Sequence, residues 1–147
     1  MRIIRGFLVA IALLAGGTVW FSCENEGDEN EGALHNAGNN CMVCHKSGGD
    51  GEGVFTAGGT VYKTGTTTGV SGISVKLFSN AEGTGTPVAT LTSDNAGNFY
   101  SKSSINFGTG LYVKVTSSNG TSSMASSITS GACNGCHGIV TDKITVQ

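Results

Sequence analysis

Gly69-Val70-Ser71-Gly72-Ile73-Ser74-Val75-Lys76-Leu77 is the stretch that decides the fold class. Ile73, Val75 and Leu77 alternate with Ser74 and Lys76. Successive side chains of a strand point to opposite faces, so this period of two describes a strand with one apolar and one polar side. Outward from it the same pattern recurs. Gly59 to Lys63 (GTVYK) reads as a preceding strand, and Val88, Thr90 and Thr92 alternate around Ala89 and Leu91 as a following one. Asp94-Asn95-Ala96-Gly97-Asn98 is a tight turn rich in residues that tolerate positive φ, and Phe99 and Tyr100 open the next strand. Leu111, Val113 and Val115 alternate with Tyr112, Lys114 and Thr116; Asn119-Gly120 marks a further turn; Ile139 to Val146 reads as a closing strand. No segment has a helical apolar period. Roughly seven short strands at this spacing predict an all-β, Greek-key-type β-sandwich.

Composition narrows the function classes. The chain has 147 residues, 24 of them Gly and 1 Pro, with 12% charged residues and a formal net charge of −2. That excludes a coiled coil, a highly charged disordered chain and the basic footprint of a nucleic-acid binder. There is no Ser-His-Asp set, phosphate loop or paired-carboxylate constellation, so the expectation is a protein that is not an enzyme.

The five cysteines carry most of the functional signal. Cys41-Met42-Val43-Cys44-His45 and Cys133-Asn134-Gly135-Cys136-His137 are two copies of C-x-x-C-H, the attachment signature of c-type haem. The two Cys sulfurs add to the porphyrin vinyl groups as thioethers. The His that follows is carried under the ring as the proximal iron ligand. The expected cofactor is therefore two covalent haems c, held by Cys41, Cys44, Cys133 and Cys136, with His45 and His137 on the irons. Two C-x-x-C pairs are also the donor set of a four-Cys zinc site or of short disulfides. Zinc would not require His at the same offset twice, and no βαβ pattern surrounds either motif as in a thiol oxidoreductase.

Distal ligands are scarce. The chain holds three His, and two of them are proximal. His35, six residues before Cys41, is the remaining imidazole. Of the three Met, Met1 belongs to the leader, Met42 lies inside a haem loop, and Met124 is the tentative second axial ligand. Motif one precedes the first strand and motif two precedes the last. First and last strands of a seven-strand count run the same way, so both haems are expected at one end of the sandwich.

The segment from Ala57 to Thr116 resembles the carboxypeptidase regulatory-like, or transthyretin-like, sandwich domains of secreted bacterial proteins. The carrying residues are Gly59-Thr60-Val61-Tyr62, Gly69 to Leu77, Thr92-Ser93-Asp94-Asn95-Ala96-Gly97-Asn98-Phe99 and Leu111-Tyr112-Val113-Lys114-Val115. Such domains are structural or binding modules with no catalytic residues to carry over, and they do not usually hold haem. With both C-x-x-C-H motifs flanking the sandwich, the whole resembles small exported multihaem c-type cytochromes. It does not resemble the compact helical cytochrome c fold.

The N-terminal region reads as an address. Arg2 and Arg5 precede an unbroken apolar run from Phe7 to Ala15, which fits a signal h-region and is too short for a membrane span. Trp20-Phe21-Ser22-Cys23 resembles a bacterial lipobox, departing from it in the bulky Trp20 and Phe21, and makes Cys23 the expected lipidation site. Residues 24–32 (ENEGDENEG) hold five of the ten acids and no apolar residue, as a solvated tether does. An acidic stretch after the Cys also resembles surface-export signals of some Gram-negative lipoproteins. The expected organisation is a signal peptide over 1–22, an anchored acidic tether over 23–34, a first haem loop over 35–56, the β-sandwich over 57–130, and the second haem motif with closing strand over 131–147.

These features together predict an exported dihaem cytochrome, anchored at the outer membrane, cell surface or periplasm, that transfers electrons. Its expected partners are redox proteins or an extracellular electron acceptor, the membrane through the anchor, and further copies of itself for haem-to-haem transfer, with no nucleic acid. The alternatives are a surface binding or adhesion module with haem as passenger or sensor, and a haem enzyme with one open iron.

Overall fold

The structure, a computed structural model, describes residues 35–147. The expected signal peptide, the expected acidic tether and Cys23 lie outside the described residues. Two sheets make an all-β sandwich. Strands β1 (Ala57–Lys63), β4 (Asn98–Ser101), β7 (Gly131–Ala132) and β8 (Ile144–Val146) form one. Strands β2 (Ser74–Phe78), β3 (Ala89–Thr92), β5 (Tyr112–Ser117) and β6 (Gly120–Ser123) form the other, in the order β3-β2-β5-β6. Two short 3-10 turns, Cys41–Val43 and Cys133–Gly135, are the only helical elements among the described residues.

The alternation seen in the sequence sets the core. Val75, Leu77, Leu91, Val113 and Val115 from one sheet meet Ala57, Val61, Phe99 and Val146 from the other, all buried. The third strand follows Leu91, so its flanking Val88 is left exposed. The Asp94–Asn98 turn closes as expected. The Asp94 carboxylate accepts from the Ala96 and Asn98 amides, and Gly97, at φ 81°, donates to the Asp94 carbonyl. A Cβ on Gly97 would lie 2.3 Å from the Val61 carbonyl oxygen, so the turn needs Gly for space as well as for backbone freedom.

The first and last strands are parallel neighbours, although the described residues form eight strands where about seven were expected: β7 and β8 both run parallel to β1, so direction does not alternate across the second motif. Strand β1 pairs antiparallel with β4 on one edge. On the other edge it pairs parallel with β7 over Ala57–Gly58 and with β8 over Val61–Lys63. The expected closing strand is shorter than its apolar run. Ile139 and Val140 stand exposed in a turn, and pairing begins at Ile144. The second C-x-x-C-H motif therefore bulges from the gap between β7 and β8, opposite Gly59 and Thr60.

Candidate haem-attachment site

Both motifs fold into the same turn. In each, a 3-10 turn starts on the first Cys, the second Cys caps it, and the His amide donates back to the carbonyl of the first Cys. That last bond is 2.9 Å from His45 to Cys41 and 3.0 Å from His137 to Cys133. Asn40 caps the first turn by accepting from the Met42 amide at 3.1 Å.

The two imidazoles are oriented in the same way. His45 Nδ1 lies 3.1 Å from the Glu52 carbonyl oxygen and 3.2 Å from that of Gly53; His137 Nδ1 lies 2.7 Å from the Asp142 carbonyl oxygen. A carbonyl only accepts, so Nδ1 carries the proton in both rings and donates. In the neutral imidazole this leaves the lone pair on Nε2, the tautomer of a metal-ligating His whose other nitrogen is tied to the backbone. His45 is buried, and its ring stacks on Phe55 at 3.9 Å, which stacks on Tyr100 at 4.4 Å. Gly51 lets the loop wrap this ring: a Cβ there would sit 2.8 Å from His45 Nδ1.

Strand β1 is the shared platform of the two motifs. A Cβ on Gly58 would lie 3.1 Å from Cys41 Sγ, and one on Gly59 would lie 2.8 Å from Cys133 Cβ. The first cysteine of each motif thus rests on one of two consecutive glycines. Burial raises the Cys41 thiol above its ordinary pKa. Burial pushes the Cys133 thiol up to about 11, with like-charge repulsion from Cys41 and Cys136 adding to it and backbone hydrogen bonds opposing it. Cys136 is exposed, and Cys44 is disulfide-bonded in this structure.

Buried Asn134, inside the second motif, joins the two halves. Its Oδ1 accepts from the Thr60 amide at 3.1 Å, filling the gap in pairing between β7 and β8. Its Nδ2 donates to Thr60 Oγ1 at 2.9 Å and to the Asn39 carbonyl at 3.0 Å. Thr60 Oγ1 accepts from the Gly38 amide and donates to Asn98 Oδ1, and Asn98 Nδ2 donates to the His35 carbonyl. The His35–Asn40 segment is thereby fastened to β1 and to the second motif. A cavity of about 210 Å³ opens beside this network, with Tyr62, His137 and Lys143 on its wall.

The proposed axial residues fare differently. His35 is brought to His45, with ring centroids 5.8 Å apart. Met124 is not brought to either motif. It follows β6, packs against the core, and lines a hollow with Tyr112, Val113 and Lys114 on the opposite sheet. Its spacing among exposed serines is that of a residue packed on the core.

The surroundings suit a large apolar ring. Val43, Val54, Ile139 and Val140 are exposed, and all lie within or just beyond the two motifs; Tyr100 beside Phe55 is exposed as well. A four-thiolate zinc site would need all four motif cysteines to converge, and among the described residues no three His, Cys, Asp or Glu side chains do. Asn134, Gly58, Gly59 and Phe55 were not legible as site residues in the sequence. No protein-family model, curated protein or solved structure matches this chain.

Proposed function

We propose that the protein is an exported, lipid-anchored dihaem c-type cytochrome that transfers single electrons. The observation that carries this reading is the duplicated turn, with two C-x-x-C-H motifs of the same backbone geometry and both imidazoles tied at Nδ1 with Nε2 left to bind iron. Cys41 with Cys44, and Cys133 with Cys136, are the thioether residues; attachment at the first motif requires Cys44 as a reduced thiol. His45 and His137 would hold the two irons. When bound, haem supplies a reversible one-electron iron couple.

The polypeptide's contribution is positional. The backbone carbonyls of Glu52, Gly53 and Asp142 fix each imidazole. The Phe55 stack holds the His45 plane. Strand β1 keeps the two attachment points on adjacent residues, which supports short-range transfer between haems. Exposed apolar side chains around both motifs favour cofactor edges near the surface, where a redox partner makes contact. The test is voltammetry of the exported protein: two reversible one-electron waves are expected. A protein that carries haem but shows no reversible electron uptake would overturn the transfer reading in favour of a binding module.

A further inference from the structure

The three histidines are not evenly shared between the two motifs. His35 is exposed yet stands with its ring centroid 5.8 Å from that of buried His45. Two imidazoles on opposite sides of one iron stand about 6 Å apart, since each metal–nitrogen bond is about 2 Å and the half-rings add the rest. The His35 backbone is held there by the Asn98 amide, in the network that runs through Thr60 to Asn134.

Among the described residues, His137 has no such companion. The chain has no fourth His. Of its three Met, Met1 lies in the leader-like run, Met42 is part of the first motif's own turn, and Met124 packs on the far sheet.

We propose that His35 and His45 serve one iron from its two sides while His137 holds the other iron alone. The protein then carries one closed haem and one haem open to a small exogenous ligand of the carbon monoxide or cyanide class. This inference rests on the dihaem reading and deepens it by making the two sites unequal in function. The closed site suits electron transfer, because a six-coordinate iron changes little on reduction. The open site suits binding or sensing of a small ligand, with electrons delivered from its neighbour across β1.

The experiment is a carbon monoxide titration of the reduced, full-length exported protein. Haem content is fixed first by pyridine haemochrome; a value other than two per chain would overturn the dihaem reading itself, independently of the titration. With two haems present, one carbon monoxide per chain is expected, together with one high-spin and one low-spin ferric signal. His35→Ala should raise the stoichiometry to two, and His35→Met should keep it at one while moving a single potential upward. No binding in the wild type would overturn the proposal. So would a stoichiometry that stays at one in His35→Ala. An open-haem signal that appears only on dilution would also refute it, by showing that a second copy supplies the missing ligand.

Discussion

Replacing Asn134 with Ala tests how tightly the second motif is built into the sandwich. The side chain makes three hydrogen bonds, accepting from the Thr60 amide and donating to Thr60 Oγ1 and to the Asn39 carbonyl. The Thr60 hydroxyl keeps Gly38 and Asn98 as partners, and water reaches the carbonyl of exposed Asn39, so those two losses are small. The Thr60 amide is different. It is buried, and orphaning such a donor costs about 1–3 kcal/mol. The remaining bonds and the small void bring the total to roughly 3 kcal/mol. For a domain of this size that lowers the melting temperature by roughly 10 °C. Asn119→Ala is the matched control: its amide donates to the Gln147 carbonyl at 2.9 Å on the exposed surface, and its loss should cost under about 0.5 kcal/mol. Thermal unfolding followed by far-UV circular dichroism compares the two. Equal destabilisation, within about 0.5 kcal/mol, would refute the claim that Asn134 fills the pairing gap of β1.

Gly59→Ala would place a Cβ 2.7 Å from Phe99 Cζ and 2.8 Å from Cys133 Cβ, so urea unfolding should show a loss of about 1–3 kcal/mol and haem staining a loss selective for the second motif. In chain without haem, Cys133 should be alkylated far more slowly than exposed Cys136 at pH 8, because with a pKa of about 11 only about one thiol in a thousand is ionised. The same shift has a sign for stability. Between pH 9 and 11 the unfolded chain ionises this thiol and the folded chain does not, so the haem-free fold should weaken as pH rises through that window. Cys23→Ser should release the protein from the detergent phase into the soluble fraction, and a variant that still partitions with detergent would reject anchoring through this residue.

The fold was legible wherever one face of a strand is buried. Ile73-Ser74-Val75-Lys76-Leu77 and Leu111 to Thr116 show the period of two because the sandwich core demands it. Strand β6 left no such trace, since Gly120–Ser123 is exposed throughout and is held only by its hairpin to β5. Strand β7 is two residues long, too short for any pattern. Ile139 and Val140 misled in the other direction, having strand-forming side chains that the structure places on the surface beside His137. The two C-x-x-C-H motifs are local and so were visible at once. Asn134 acts on Thr60, 74 residues away in sequence, and the two glycines beneath the cysteines matter only because distant turns land on them. Nothing local announces such contacts. The two motifs do lie side by side, but not for the reason a seven-strand alternation gives: the described residues form eight strands, and the second motif sits between β7 and β8, which both run parallel to β1.

The most direct test of the central claim is the intact mass of the mature exported protein together with peptide mapping of the attachment sites. The expected mass is that of the polypeptide plus two haem groups, one mapped to the peptide bearing Cys41 and Cys44 and one to that bearing Cys133 and Cys136. An unmodified chain, or one carrying zinc or disulfides at those four cysteines, would contradict it.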